Sequence, residues 1–450
     1  MKRRQFLTST ALTGAGLMML PRTALFGANA PNNKLNVGLV GTWGRGEAHF
    51  GALASENVVA LCDINEDHLA FGAKRFPNAK TYVDWREMLD KQKDLNAVVI
   101  CTADHVHPFV ANWAMNRGLH VYCEKPLACS VEEARVVRAN YLKNKAKLAT
   151  QVGTQRHEFE NFNRVRELIL DGAVGKLETA CAWGTRRIPT PDGRLDYQPA
   201  KGEPPQGFHW DLWLGPAPEH PYNPGYFSGS SGLNCLKWNM YWDFGTGQVG
   251  DMGSHTMDLA WNALDADLPT SAEGKGDPFN PAVTPIKLET HFEIPANNWR
   301  SAIRLSWYQG GAMPEGPRRF VDLRKNDDED HGAMFEGNKG TLVSSYHSRV
   351  LIPNDRGADM TYYKPRAKED LLPPLRGFQQ EWLRACKGSL QTSCNFDYGG
   401  KMIETMMLGL VAYRVGRKIA YNGQEGRVTD CPEAEPLLKR TYRQGWTLNG

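Results

Sequence analysis

The stretch that most constrains the fold is Lys34 to Gly46, KLNVGLVGTWGRG. Lys34 to Val40 reads as a buried strand, and Gly41-Thr42-Trp43-Gly44-Arg45-Gly46 turns it into a helix. A second apolar run, Val58 to Leu61, leads to Asp63. Strand, glycine turn, helix, strand and acid in that order are the layout of a dinucleotide-binding βαβ unit. The glycines permit the tight turn, the helix N-terminus faces the pyrophosphate, and the acid meets a ribose hydroxyl. Asp63 favours NAD over NADP, because a 2′-phosphate would meet a like charge there. One position departs from the pattern. Trp43 stands where the middle glycine normally lets the backbone approach the phosphates, with Gly44 directly after it, so the turn is expected to differ there.

Strands of a parallel, doubly wound sheet are buried on both faces and read as continuous apolar runs. Asn96 to Thr102 (NAVVICT), Leu119 to Cys123 and Ala146 to Val152 fit that description. The run from Leu119 goes straight into Glu124-Lys125-Pro126. A buried strand has no use for Glu and Lys, so the pair is expected just past its carboxyl end, the edge where open α/β sheets bind ligands. Pro126 stiffens the backbone carrying Lys125. After Thr102, the turn Ala103-Asp104-His105-Val106-His107 holds two histidines with no further ligands beside them. Capping and loop hydrogen bonds are the expected role, and no metal is expected.

With 450 residues the chain is too long for one ordinary core. We read residues 31–152 as the Rossmann domain and 153–450 as a second, α+β domain with a large, open, mostly antiparallel sheet. That domain begins with a helix, Phe162 to Asp171, and an alternating strand, Leu177 to Trp183. A region rich in proline, glycine and aromatics runs from there to about 250; loops this long are usually functional or cover a core. Gly250 to Leu259 opens a helix on which Asp251 and His255, four apart, are expected to share a face. Strands are expected at Ile286 to Ile294, Arg300 to Tyr308, Phe320 to Leu323 and Gly340 to Val343, and helices at Gly377 to Cys386 and Met402 to Lys418.

The first 30 residues are expected to be a signal. Lys2-Arg3-Arg4-Gln5-Phe6-Leu7 is a twin-arginine pattern, followed by a weakly apolar run and the small-x-small site Ala28-Asn29-Ala30. Removing them takes away Lys2, Arg3, Arg4 and Arg22 and no acid, so the formal charge goes from +3 to −1. The apparent basicity is therefore no argument for nucleic-acid binding. No later run is long and apolar enough for a membrane helix. An odd number of dispersed cysteines, nine, suits reduced residues used as small apolar groups. Together these point to a protein folded in the cytosol and exported intact to the periplasm.

The glycine turn, Asp63, the Thr102-to-His107 turn and Glu124-Lys125-Pro126 recur in order with Gly172-Ala173-Val174-Gly175-Lys176, Trp210-Asp211-Leu212-Trp213-Leu214-Gly215-Pro216 and Asp251-x-Gly253-x-His255. In this the chain resembles the Gfo/Idh/MocA oxidoreductases over essentially its whole mature length. The resemblance implies bound NAD met by Gly41, Trp43, Gly44, Arg45, Gly46, Asp63, Thr102, His107, Glu124 and Lys125. It implies a homo-oligomer, dimer or tetramer, built on the open sheet. It also places Lys125, Asp251 and His255 together at the nicotinamide. Oxidising a secondary alcohol needs a base for the hydroxyl proton, and His255 suits that task. Asp251 would orient the imidazole, and Lys125 would stabilise the developing alkoxide. Arg156, His157 and Trp183 are expected to line the pocket for a sugar, glycoside or cyclitol. The alternative is a redox-neutral, NAD-dependent glycoside hydrolase acting through a keto-sugar.

Overall fold

A computed structural model describes residues 33–184, 201–228, 237–313, 331–355, 359 and 361–449. The expected signal and the strand expected at Phe320 to Leu323 lie outside the described residues.

Six strands make the first sheet: β1 (Asn36–Val40), β2 (Asn57–Cys62), β3 (Lys80–Tyr82), β4 (Ala97–Ile100), β5 (His120–Glu124) and β6 (Thr150–Gly153). All pair in parallel in the order β3-β2-β1-β4-β5-β6. The connecting helices are α1 (Phe50–Leu53), α2 (Glu66–Arg75), α3 (Trp85–Lys91), α4 (His107–Asn116) and α5 (Val131–Asn144). Three start on side-chain caps: Asn65, Asp84 and Ser130 accept from the backbone N–H of Asp67, Arg86 and Glu133. Such caps satisfy donors that the first turn leaves orphaned. The helix expected directly after Gly46 is shorter than its pattern suggests, a 3₁₀ turn over Gly46–His49 followed by the single turn of α1.

The second domain continues with α6 (Glu160–Leu170), β7 (Leu177–Gly184), α7 (Trp210–Leu214) and α8 (Ser254–Leu264). Then come β8 (Ser271–Gly276), β9 (Leu288–Ile294), β10 (Ile303–Gln309), β11 (His331–Gly337), β12 (Gly340–Ser344) and β13 (Arg349–Pro353). The chain closes with α9 (Phe378–Lys387), α10 (Phe396–Val415), β14 (Ile419–Asn422) and β15 (Arg427–Val428). These strands form a nine-stranded sheet, β13-β12-β11-β7-β10-β9-β8-β14-β15, in which β7–β10 is a parallel pair and the others are antiparallel. The period-2 pattern of β9, buried at every second residue, is the signature of a sheet with one covered face.

The two domains share their packing. On one face of the first sheet, Val98, Val121 and Cys123 meet α3, α4 and α5. On the other, Leu39, Val99 and Tyr122 meet Phe50 and Leu53, together with Phe378, Trp382 and Leu383 of α9. A helix from the far end of the chain therefore completes the Rossmann core. α10 lies against α5 and carries ion pairs to it, Arg135 to Glu404 at 2.6 Å and Arg138 to Asp397 at 2.6 Å. Among the described residues, no helix is long and apolar enough to cross a membrane.

Candidate active site

The order of the first sheet reverses between β1 and β4, which opens a crevice at their carboxyl ends. Gly41 sits at its floor with φ +87°, and a Cβ there would strike the Cys101 carbonyl. Gly46 is equally closed, because its Cβ would meet the Gly41 carbonyl. Gly44 takes the left-handed conformation, φ +60°. The positive-φ residues of this turn are thus the glycines Gly41 and Gly44, on either side of Trp43, and Trp43 itself needs no strained backbone. The Trp43 ring is 40% exposed and stacks on His68, with centroids 4.6 Å apart and planes within 10°. It forms part of the wall of a cavity that also meets Gly41, Arg45, Asp63, His68 and Thr102.

Asp63 Oδ2 accepts from the Thr42 backbone N–H (2.8 Å) and hydroxyl (3.1 Å), and Oδ1 from the Asn65 N–H (3.0 Å). The acid therefore clasps the glycine turn. A carboxylate offers about four acceptor sites, so capacity remains for a ribose hydroxyl. Two glycine positions that exclude a Cβ, an acid at the end of β2 and a cavity joining them fit a dinucleotide.

Glu124 departs from expectation. It is the last residue of β5, not a group beyond it, and its side chain is buried. Its Oε1 accepts from Arg45 Nε at 2.8 Å and from His49 Nε2 at 2.9 Å. Burial opposes the charge, but Arg45 and then His49 overcome it and hold the carboxyl at about 2. Glu124 thus pins the glycine turn to β5. His49 carried no local signal; its partner is far away in the sequence. His107 is also a brace. Its Nδ1 faces the Pro126 carbonyl (2.7 Å) and its Nε2 the Thr102 carbonyl (3.0 Å), so both ring nitrogens are occupied by backbone. His105 likewise bridges the Phe244 and Trp213 carbonyls.

Lys125 Nζ lies 2.5 Å from Asp251 Oδ1. That contact joins the carboxyl end of β5 to the π-helical turn Val249–Gly253 that precedes α8. Asp251 is expected to orient His255; its Oδ1 meets Lys125 Nζ, its charge is felt at His255, and His255 Nδ1 is buried with no hydrogen-bond partner. His255 is buried, and its pKa is pushed well below the ordinary histidine value, first by desolvation and then by the positive charges of Lys125 and Arg156. The imidazole is therefore neutral. Asp104, missed as a site residue, is buried, feels the charges of both Lys125 and Asp251, and accepts from Asn239 Nδ2 at 2.8 Å. Desolvation pushes its pKa up to about 8, with Asp251 adding to the shift and Lys125 opposing it. It holds a proton at neutral pH.

The expected pocket residues divide. Arg156 lies over the Tyr346 ring, 4.0 Å from its centroid, and the Tyr346 hydroxyl is 2.5 Å from the hydroxyl of Thr256, next to His255. Tyr346 thus belongs beside the site, although nothing in its local sequence marks it. His157 is engaged elsewhere: its Nδ1 is 2.9 Å from Asp258 Oδ2, and Tyr398 donates to Asp258 Oδ1 at 2.5 Å. His157, Asp258 and Cys394 approach one another closely enough to hold a metal. Burial opposes a charge on His157, but Asp258 raises its pKa well above the ordinary value, and Asp258 is already taken up by His157 and the Tyr398 hydroxyl. His157 locks α8 in place and does not line the crevice. Trp183 is on the wrong face. Ala180 and Ala182 of β7 face the main core, whereas Cys181 and Trp183 pack with Met334 and Val343 on the opposite side.

A parallel sheet with a glycine-floored crevice, closed by a second domain that delivers an acid and a neutral histidine to a lysine, defines a two-domain dinucleotide-dependent protein. Family models identify it further: "Oxidoreductase family, NAD-binding Rossmann fold" matches residues 35–153, and "Oxidoreductase family, C-terminal alpha/beta domain" matches residues 193–448. The chain belongs to the Gfo/Idh/MocA oxidoreductase family, and its first domain is an NAD-binding Rossmann domain. It is similar to inositol 2-dehydrogenase of Salmonella typhimurium, 30% identical over 147 residues, which is 32% of this chain and 43% of that protein. It is also similar to levoglucosan dehydrogenase of Pseudarthrobacter phenanthrenivorans, 29% identical over 154 residues, covering 32% and 39%. The matches thus span less than half the length of these relatives. In fold it resembles the WlbA dehydrogenase from Bordetella pertussis in complex with NADH and UDP-GlcNAcA, with TM-score 0.59, 16% identity and coverage of 86% and 99%. A levoglucosan dehydrogenase in complex with NADH has TM-score 0.56, 16% identity and the same coverage.

Proposed function

We propose that the protein is an exported NAD-linked oxidoreductase that moves hydride between a secondary alcohol of a sugar, glycoside or cyclitol and a retained nicotinamide. The observation that carries this reading is the 2.5 Å contact between Lys125 and Asp251 at the mouth of the crevice, with the neutral His255 beside it. Bound NAD supplies the hydride acceptor. Lys125, charged and steadied by Asp251, donates a hydrogen bond to the substrate hydroxyl and stabilises the negative charge that develops on its oxygen. His255, already neutral, takes the hydroxyl proton. Arg156 and Tyr346 offer a cationic and an aromatic surface to the rest of a polyol. The sugar and cyclitol dehydrogenases among the relatives support the substrate class.

Product analysis tests the reading. The protein is incubated with a panel of sugars, glycosides and cyclitols, and the mixtures are analysed for small-molecule products. A keto-sugar or keto-cyclitol together with reduced cofactor is the expected result. Release of an aglycone with no net redox change would replace this reading with the hydrolase.

A further inference from the structure

The wall of the cofactor cavity facing Trp43 and Asp63 comes from the second domain. Phe208, Trp213 and Trp238 form it, opposite Gly41 and Asp63. The segment that supplies Phe208 is fastened to the residues directly after Asp63. Gly207 accepts from the Glu66 N–H at 2.9 Å, His209 donates to the Ile64 carbonyl at 2.9 Å, and Phe208 forms an antiparallel bridge with Asn65. His209 Nε2 adds a hydrogen bond to Glu66 Oε1 at 2.9 Å. Gly207 has φ +76°, and a Cβ there would crowd Glu66 at 3.3 Å, so the close approach depends on glycine.

The other end is anchored independently. Trp213 is buried among Tyr226, Tyr241 and Phe244, stacks on Trp210 at 4.8 Å, and its carbonyl lies 3.0 Å from His105 Nε2. Arg443 donates to the Gly215 carbonyl at 3.1 Å. We infer that Gly207 to Trp213 is a strap across the adenosine end of the cofactor site, which holds the dinucleotide through many turnovers and prevents its free exchange. The Phe208 wall moves away only when backbone pairing and a packed aromatic cluster open together. A loop fastened by one contact would open far more often. This inference rests on the NAD reading of the crevice and adds which residues control release.

The test uses the full-length protein. After extensive gel filtration, a denatured extract is assayed for nicotinamide dinucleotide, and isotopically labelled NAD is then used to follow exchange. Two variants loosen the strap. His209→Pro removes the N–H that bonds Ile64 at a residue whose φ of −84° is close to proline's; Phe208→Ala removes the ring from the wall. The wild type should retain cofactor and exchange it slowly, and at least one folded variant should exchange it about tenfold faster or more. Wild-type protein that binds NAD but exchanges it as fast as both variants would overturn the strap alone. Protein that binds no NAD, as isolated or in titration, would overturn the reading of the crevice as well.

Discussion

Replacing Glu124 by glutamine separates the bracing role of this residue from any direct contact with the cofactor. The carboxylate is buried, and one oxygen receives both Arg45 and His49. Holding its pKa at about 2 instead of 4.5 corresponds to ~3 kcal/mol of folded-state stabilisation at neutral pH. Removing one partner of a buried ion pair costs about 3–5 kcal/mol. Arg45 keeps some solvent access, so the lower end applies, and Glu124→Gln should lose ~3 kcal/mol. The folded pKa is depressed, so this contribution is fully present above the unfolded value of 4.5 and fades as the pH falls towards 2. Urea unfolding of the wild type and Glu124→Gln at neutral pH and at about pH 3.5 is the assay. The gap should narrow by ~1 kcal/mol at the acid pH. Equal unfolding midpoints at neutral pH, or a gap that does not narrow, would refute the argument that Glu124 pins the turn as an anion.

Two further outcomes follow from the other shifted groups. The His255 pKa lies well below 6.5, so if His255 is the base, kcat/KM should show no acid limb at the ordinary histidine value, and a pH–rate profile would show it directly. Asp104 has a folded pKa raised from 3.8 to about 8, so its contribution is fully present below 3.8 and is lost as the pH rises through 8. Asp104→Asn keeps an acceptor for Asn239 and carries no charge, so its Tm should gain on that of the wild type between about pH 5 and pH 8. A constant Tm difference over that range would count against a buried, protonated Asp104.

The parts legible in the sequence are those with local causes. The Gly41-to-Gly46 turn, Asp63 and the apolar strands identify the first sheet because a glycine that excludes a Cβ and a strand buried on both faces both leave local marks. The contact of Asp251 with Lys125 was not legible, because it joins residues 126 apart in the sequence. Trp183 was misplaced because β7 is buried on both faces. Neither its apolar nor its small residues reveal which side meets the site. Glu124 reads as a charge at a strand end until Arg45 and His49 arrive from β1's side of the crevice. The packing of α9 on the first sheet is invisible for the same reason. An amphipathic helix announces that it has a partner but not which one.

The central claim is that Lys125 and His255 act directly on the reaction. It is tested most directly by mixing cofactor-loaded protein with an oxidisable sugar or cyclitol in a stopped-flow instrument and following reduced nicotinamide by absorbance. The wild type should reduce its cofactor. Lys125→Ala and His255→Ala should both fold and retain NAD, Lys125→Ala with a Tm lowered by the broken ion pair to Asp251, while the rate falls by ~10²-fold or more in each. Their combined loss should be less than the product, since base and stabiliser serve one proton transfer. Either single variant reducing its cofactor at the wild-type rate would remove that residue from the catalytic set and contradict the account.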